Sequence, residues 1–195
     1  MLLKDFIIRV FDILGVLICL VILSPIFIVI AIFIKLDSKG PVLFRQQRLG
    51  RRGIEFTILK FRTMTLDTCL DKDSKWASVG DSRITRVGHK LRKYHLDELP
   101  QLLNILLGDM SFVGPRPFRA GVHKLIREIE PNWDKRLAYK PGLTGYAQLF
   151  AHKGCELNDH ALKLKYDLKM ESLNPLTYIQ LIFRTPLKII SGSSH

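Results

Sequence analysis

Cysteine is scarce. Cys19, Cys69 and Cys155 are the whole supply in 195 residues, and no two form a CxxC pair. An odd, scattered set argues against a disulfide framework and against a zinc site, and it fits a reducing, cytosolic-facing compartment. Acid is scarce too, with 18 Asp+Glu against 30 Lys+Arg, giving a formal charge of +12 and a pI near 9.8. That balance points to anionic partners: nucleic acid, phosphorylated small molecules or an acidic lipid surface. P-loop spacing is missing, which argues against a triphosphate-binding fold. No nucleic-acid-binding motif occurs, and aromatics are not interleaved with the basic runs, so nucleic acid is set aside. The length fits one compact domain.

Charge is absent altogether from residues 13–34, ILGVLICLVILSPIFIVIAIFI. About 20 apolar residues suffice to cross a bilayer as a helix. This run is apolar on every face, unlike the core helix of a soluble protein, and lacks the small-residue cleavage site of a signal peptide. It explains much of the positive mean hydropathy of +0.12. Ser24-Pro25 stands at its centre. Proline removes a donor and clashes with the preceding turn, so a kink is expected there, with the serine hydroxyl satisfying a freed backbone group. Lys4 and Arg9 precede the run, and Lys35, Lys39, Arg45, Arg48, Arg51 and Arg52 follow it. Basic residues favour the cytoplasmic side, and here both flanks are basic. A kinked span and a re-entrant helical hairpin over residues 1–39 both satisfy these features.

After Gly40-Pro41 the pattern alternates as in a β-hairpin, with a turn around Gly50–Gly53 and Ile54, Phe56 and Ile58 on one face. Residues 66–82 read as a polar loop, in which Trp76 is a packing residue or an interfacial anchor. Asp81 or Ser82 is expected to cap a basic helix carrying Ile84, Val87 and Leu91 inward. Leu99, Leu102, Leu103 and Leu106 then mark a second helix, ended by Gly108. Pro100 must lie in its first turn, which places Asp97 near the N-cap and Glu98 at the first helical position. Helix dipoles favour acids there whatever their function. Gly114-Pro115-Arg116-Pro117 is a stiff turn that restricts one guanidinium and favours anion recognition. Residues 119–130 predict a further amphipathic helix. In KPGLTGYAQ (140–148), Gly142, Thr144 and Gly145 would let backbone N–H groups approach a phosphate or base. A last helix from about Leu176 reads as core and membrane-surface packing, followed by a flexible tail over 191–195.

The segments KFRTM (60–64), LRKYHLDELPQLLNILLGDMSFVGPRP (91–117), KPGLTGYAQ (140–148) and LKYDL (164–168), with ILSPI at 22–26, resemble the bacterial monotopic phosphoglycosyl transferases, in order and over nearly the whole chain. The chain looks like the small form of that family. The resemblance implies a mainly α fold with a small β-hairpin. It also implies a re-entrant helix-break-helix at Ser24 and Pro25, and a cytosolic catalytic domain over 40–190 with amphipathic interfacial helices. The implied reaction moves a phospho-sugar from a UDP-sugar to polyprenol (undecaprenyl) phosphate and releases UMP, on the cytoplasmic face of the bacterial inner membrane. This is the first membrane step of lipid-linked glycan assembly, with downstream glycosyltransferases as further partners. Asp97 would be the nucleophile and share a Mg²⁺ ion, and Glu98 would position the metal or act as a base. Lys60, Arg62, Arg92, Arg116, Gly142, Thr144 and Asp167 are the expected substrate-side residues. The segment FAHKGCELNDH (150–160) departs most from the family's usual continuation and leaves the donor sugar open. The competing reading is a non-enzymatic, membrane-anchored basic binding or scaffold protein.

Overall fold

The structure, a computed structural model, describes residues 2–65, 81–151 and 157–190. Trp76, part of the divergent 150–160 segment and the tail over 191–195 lie outside the described residues. Among these residues the fold is mainly helical with two small two-stranded sheets.

Helix α1 runs Leu2–Asp37 with Pro25 inside it, so the expected break at Ser24-Pro25 does not interrupt the helix. The physical reason is local. The missing N–H of Pro25 would have bonded the carbonyl four residues back, Val21. The Ser24 hydroxyl donates to that same Val21 oxygen at 2.9 Å, so no carbonyl is left unpaired in an apolar setting.

One stripe of α1 packs on the rest of the protein along its whole length: Ile8, Asp12, Val16, Leu20, Leu23, Phe27, Ile30 and Ile34. The opposite surface is bare and apolar, with Leu3, Phe6, Leu14, Ile18, Val21, Ile22, Ile28 and Leu36 all exposed. An 18-residue window of α1 has a mean hydropathy of 3.3, and 11% of it is buried. Water does not tolerate such a surface, and a lipid phase does. Asp12 fixes the helix to the core. Its carboxylate accepts from the Phe112 N–H at 3.0 Å and from the hydroxyls of Ser111 and Tyr178.

Strands β1 (Leu43–Leu49) and β2 (Glu55–Phe61) form the expected antiparallel hairpin, joined by a 3-10 turn at Arg51–Gly53. Phe56 and Ile58 are buried, but Ile54 is exposed at the turn, one residue before the pleat begins. Helices α2 (Arg86–Lys93) and α3 (Gln101–Leu107) follow, then strand β3 (Ser111–Val113), helix α4 (Ala120–Ile129), strand β4 (Gly142–Thr144) and helices α5 (Tyr146–Phe150), α6 (Leu157–Leu168) and α7 (Pro175–Ile190). The main core joins Val16 of α1 to Phe56, Leu102, Ile105, Phe112, Leu149, Tyr178 and Leu181.

Strands β3 and β4 pair in parallel, Ser111 with Gly142 and Val113 with Thr144. This pairing, absent from the sequence reading, ties the GPRP turn to the PGLTG loop. Their glycines make it possible. A Cβ on Gly142 would sit 2.0 Å from the Gly114 nitrogen, and one on Gly114 would sit 2.2 Å from the Lys140 oxygen.

Candidate active site

The site begins where β2 meets α2. Thr85 caps α2, its hydroxyl accepting from the Gly88 N–H at 3.0 Å; the cap is neither Asp81 nor Ser82. The reason is the docking of residues 84–85 on the end of β2: Ile84 bridges Met64, and the Thr85 N–H donates to Thr63 O. Asp81 is drawn instead to Arg83, at 2.6 Å. Gly88 lets α2 lie against that strand end, because a Cβ there would be 2.2 Å from the Thr63 oxygen. The same contact brings the Arg92 Nε to the Thr63 hydroxyl at 2.9 Å.

The chain then reverses at His95, which adopts the left-handed region at φ 54°. Few non-glycine residues do so, and the cost is about 1–2 kcal/mol. The reversal returns the chain past Arg92 as a 3-10 turn, Leu96–Glu98. Asp97 and Glu98 therefore lie in a separate turn ahead of α3, not at its N-cap and first position. Proline explains the difference. Pro100 has no N–H to donate to Leu96 four residues back, so the Leu99 N–H donates to Leu96 O instead and the turn closes as 3-10. α3 starts at Gln101 and ends at Gly108, whose φ of 97° closes it in the left-handed conformation.

Both carboxylates are buried, and their surroundings differ. Glu98 Oε1 accepts from Lys60 Nζ at 2.6 Å and from Arg116 Nη2 at 2.9 Å. Asp97 Oδ2 stands 3.8 Å from the same Lys60 nitrogen. Burial pushes the Asp97 carboxyl up, with Lys60 opposing, Glu98 adding, and Arg92 and His95 opposing. Burial also acts to raise Glu98, but Arg116 and Lys60 together outweigh it and hold that carboxyl far below the usual range. Adjacent acids whose ionisation is driven apart in this way are the usual arrangement of a reacting pair.

Lys60, Arg92, Arg116, Asp97 and Glu98 are thus brought together. The other expected residues are not. Arg62 is buried, and its guanidinium donates to the carbonyls of Ile34, Ser38 and Lys39 at the C-terminal end of α1. The Gly142 N–H is taken by Pro115 O, and the Thr144 hydroxyl lies 2.7 Å from that of Thr185, so both are engaged in holding the loop. Asp167 acts at one remove. It pairs with Arg136 at 2.7 Å inside the core, and Arg136 donates to the Arg116 carbonyl at 2.9 Å. The Arg136 guanidinium is also stacked 4.4 Å from the Trp133 ring.

Two contributors escaped the sequence reading. Asn104 is buried on α3 and its amide meets the free edge of β2, donating to Thr57 O at 2.8 Å and accepting from Leu59 N–H at 2.9 Å. It does for that edge what a third strand's peptide group would do, and so fixes Lys60, the next residue. Its neighbours are Leu103 and Ile105, and the only sign in the sequence was a polar residue inside an apolar run. Arg48, read as a juxtamembrane cation, reaches the GPRP turn, with Nη1 3.4 Å from Pro117 O. Among the described residues no group of three or more His, Cys, Asp or Glu side chains forms a metal cage. Asp97, which no arginine or lysine among the described residues holds at hydrogen-bond distance, is the carboxylate left to offer oxygens to a hard cation.

A family model described as Bacterial sugar transferase matches residues 3–192. The chain belongs to the bacterial sugar transferase family. It is 38% identical over 189 residues to a UDP-N-acetylgalactosamine-undecaprenyl-phosphate N-acetylgalactosaminephosphotransferase of Aeromonas hydrophila, covering 96% of this chain and 44% of that protein. It is 44% identical over 149 residues to the exopolysaccharide production protein PSS of Rhizobium leguminosarum bv. phaseoli, covering 75% and 74%. A UDP-glucose:undecaprenyl-phosphate glucose-1-phosphate transferase of Escherichia coli K12 is 41% identical over 146 residues, covering 75% and 31%. The chain spans less than half the length of the first and third of these relatives.

Proposed function

We propose that this sugar transferase moves a sugar phosphate from a UDP-sugar to polyprenol phosphate at a membrane surface, releasing UMP. The observation that carries the reading is the Asp97–Glu98 pair, one carboxyl driven up and the other held down, inside a ring of cations on a chain of this family.

Asp97 is the nucleophile. Its carboxylate oxygen attacks the sugar-bearing phosphorus, the bond to UMP breaks, and UMP leaves with the electron pair. A phosphate oxygen of polyprenol phosphate then attacks the same phosphorus and displaces Asp97. The products are polyprenyl diphosphate-sugar and the free carboxylate. Lys60, Arg92 and Arg116 offset the repulsion between carboxylate and pyrophosphate. Glu98 holds Lys60 and Arg116 in place. As a carboxylate that stays ionised between two cations, it is a weak base, so positioning is the role its geometry supports. Asp97 and the substrate's phosphate oxygens would hold Mg²⁺, which supplies charge neutralisation on the leaving phosphate.

The attachment is monotopic, with the catalytic part on the cytoplasmic face of the inner membrane. Support comes from the ends of α1. Lys4 donates to carbonyls of Met170 and Glu171, while Asp37 accepts from the Val87 N–H, so both ends rest on the same body of protein. A full crossing would leave them on opposite sides.

Purified protein incubated with polyprenol phosphate, Mg²⁺ and a panel of UDP-sugars should release UMP with at least one donor. A non-enzymatic binding or scaffold protein would release none. Cysteines placed at residues 2 and 39 should label from the same side of the membrane.

A further inference from the structure

The carboxylate pair is bordered by more cations than it can neutralise. Beyond Lys60, Arg92 and Arg116 stands Arg48, which leaves β1 opposite Phe56 and reaches across to the GPRP turn. Its Nη2 donates to the Gln46 side chain at 2.5 Å, and its Nε is buried with no acceptor. The charged groups facing it are Arg116, Arg119 and Glu98. Glu98 is the one acid among them, and its Oε1 already accepts from Lys60 and Arg116. Burial, then Arg116 and Arg119, push the Arg48 guanidinium down to about 10 from its ordinary 12.5.

A purely structural arginine looks different in this same molecule. Arg136 has a buried carboxylate at 2.7 Å, and Arg62 has a set of helix-end carbonyls. Arg48 has one weak carbonyl contact, one neutral amide, two like charges and only Glu98, already shared by Lys60 and Arg116, as an opposing one. Such a grouping is unfavourable until an anion arrives, and a phosphate offers the oxygens that would satisfy it.

We propose that Arg48, together with Arg116, binds a phosphate group of a substrate on the Glu98 side of the carboxylate pair. The choice of ligand rests on the phosphosugar-transfer reading above. That phosphate is either the one that leaves with UMP or the one that enters with polyprenol phosphate.

The test uses the full chain in detergent or nanodiscs, as wild type, Arg48→Gln and Arg48→Lys. Thermal unfolding without ligand is measured first, then binding of UMP and of a short-chain prenyl phosphate, with inorganic phosphate as a reference anion. Arg48→Gln should unfold at the same temperature or higher, because a like-charge contact is removed. Its Kd for UMP, prenyl phosphate or both should rise about 10-fold. The arm that weakens identifies the phosphate. Arg48→Lys, which keeps the charge but not the fork, should fall between the two and carries the test if the glutamine variant does not fold. A lowered unfolding temperature with unchanged Kd in both arms would make Arg48 a strut for the turn and overturn the proposal. Because these are binding measurements, they stand apart from turnover. Absence of UMP release from the wild type would sink the reaction while leaving the phosphate site to be judged on its own.

Discussion

Arg62 and Arg116 each sit in a short motif and each was expected to meet substrate, yet their surroundings have nothing in common. Arg62 is 2% exposed and its donors close the carbonyl end of α1. The Arg116 side chain is 51% exposed and bonds a carboxylate. Other cations repeat the first pattern. Arg9 donates to Ile105 O and Leu106 O at the end of α3, and Lys188 donates to Leu149 O at the end of α5. Two of the duties this basic chain gives its positive charge thus stand apart: satisfying the last carbonyls of helices, and surrounding an acid pair. Net charge does not distinguish them, and the partner of each guanidinium does.

Substitutions sharpen that division. The largest effect is expected on the acid side. Asp97→Asn should lower UMP release by a factor on the order of 10⁴ or more. Its stability at pH 7 should hold or rise. Burial raises the Asp97 carboxyl in the folded state, so its ionised form weighs against folding above that raised value. A wild-type rate would end the covalent mechanism.

Next come the groups that hold the pair. Glu98→Gln and Lys60→Met should each cost about 10²-fold in kcat. Lys60 lowers Asp97, so removing it should carry the acid limb of the rate profile to higher pH. In the wild type that limb tracks Asp97 and lies above the ordinary 3.8, while Glu98 stays ionised across it. An unmoved limb in Lys60→Met would assign it to another group.

On the helix-end side the currency is folding. Arg62→Met strands several carbonyls and should destabilise by about 2–3 kcal/mol in denaturant melts, with the folded fraction still active. Loss of activity at unchanged stability would return Arg62 to the site. Asn104→Leu leaves Thr57 O and Leu59 N–H unpaired and should cost about 2 kcal/mol, together with a drop in kcat as Lys60 loses its anchor. The smallest effect is at the reversal. His95→Gly should keep both fold and most activity, while His95→Val should lose about 1–2 kcal/mol because branched residues resist the left-handed region.

Much of this was legible in the sequence, and the part that was not has a common cause. The apolar helix, the hairpin with its turn at Gly50–Gly53 and the helix ended by Gly108 follow from local rules of pattern, turn and spacing, while Arg92 beside Asp97 was implied only by the family resemblance. Contacts that join distant segments left no such trace. Nothing near Asn104 announces that its amide will meet β2, and nothing in PGLTG announces that it will run beside GPRP. The glycines of PGLTG read as room for a ligand, when the occupant of that room is the backbone of the GPRP turn. At Pro25 the helix continues, and the serine before it supplies the partner that the proline removes from the Val21 carbonyl.

The docking of α1 has a practical side. Val16 belongs to the main core, Ile30 and Ile34 to a second cluster with Phe61 and Leu91, and Asp12 to the bonds that fix β3. The long apolar helix is therefore also a wall of the fold that carries the carboxylate pair. Trimming residues 1–39 to obtain a soluble fragment would open both hydrophobic clusters at once, so the surface that suits a lipid phase cannot be removed without exposing the interior.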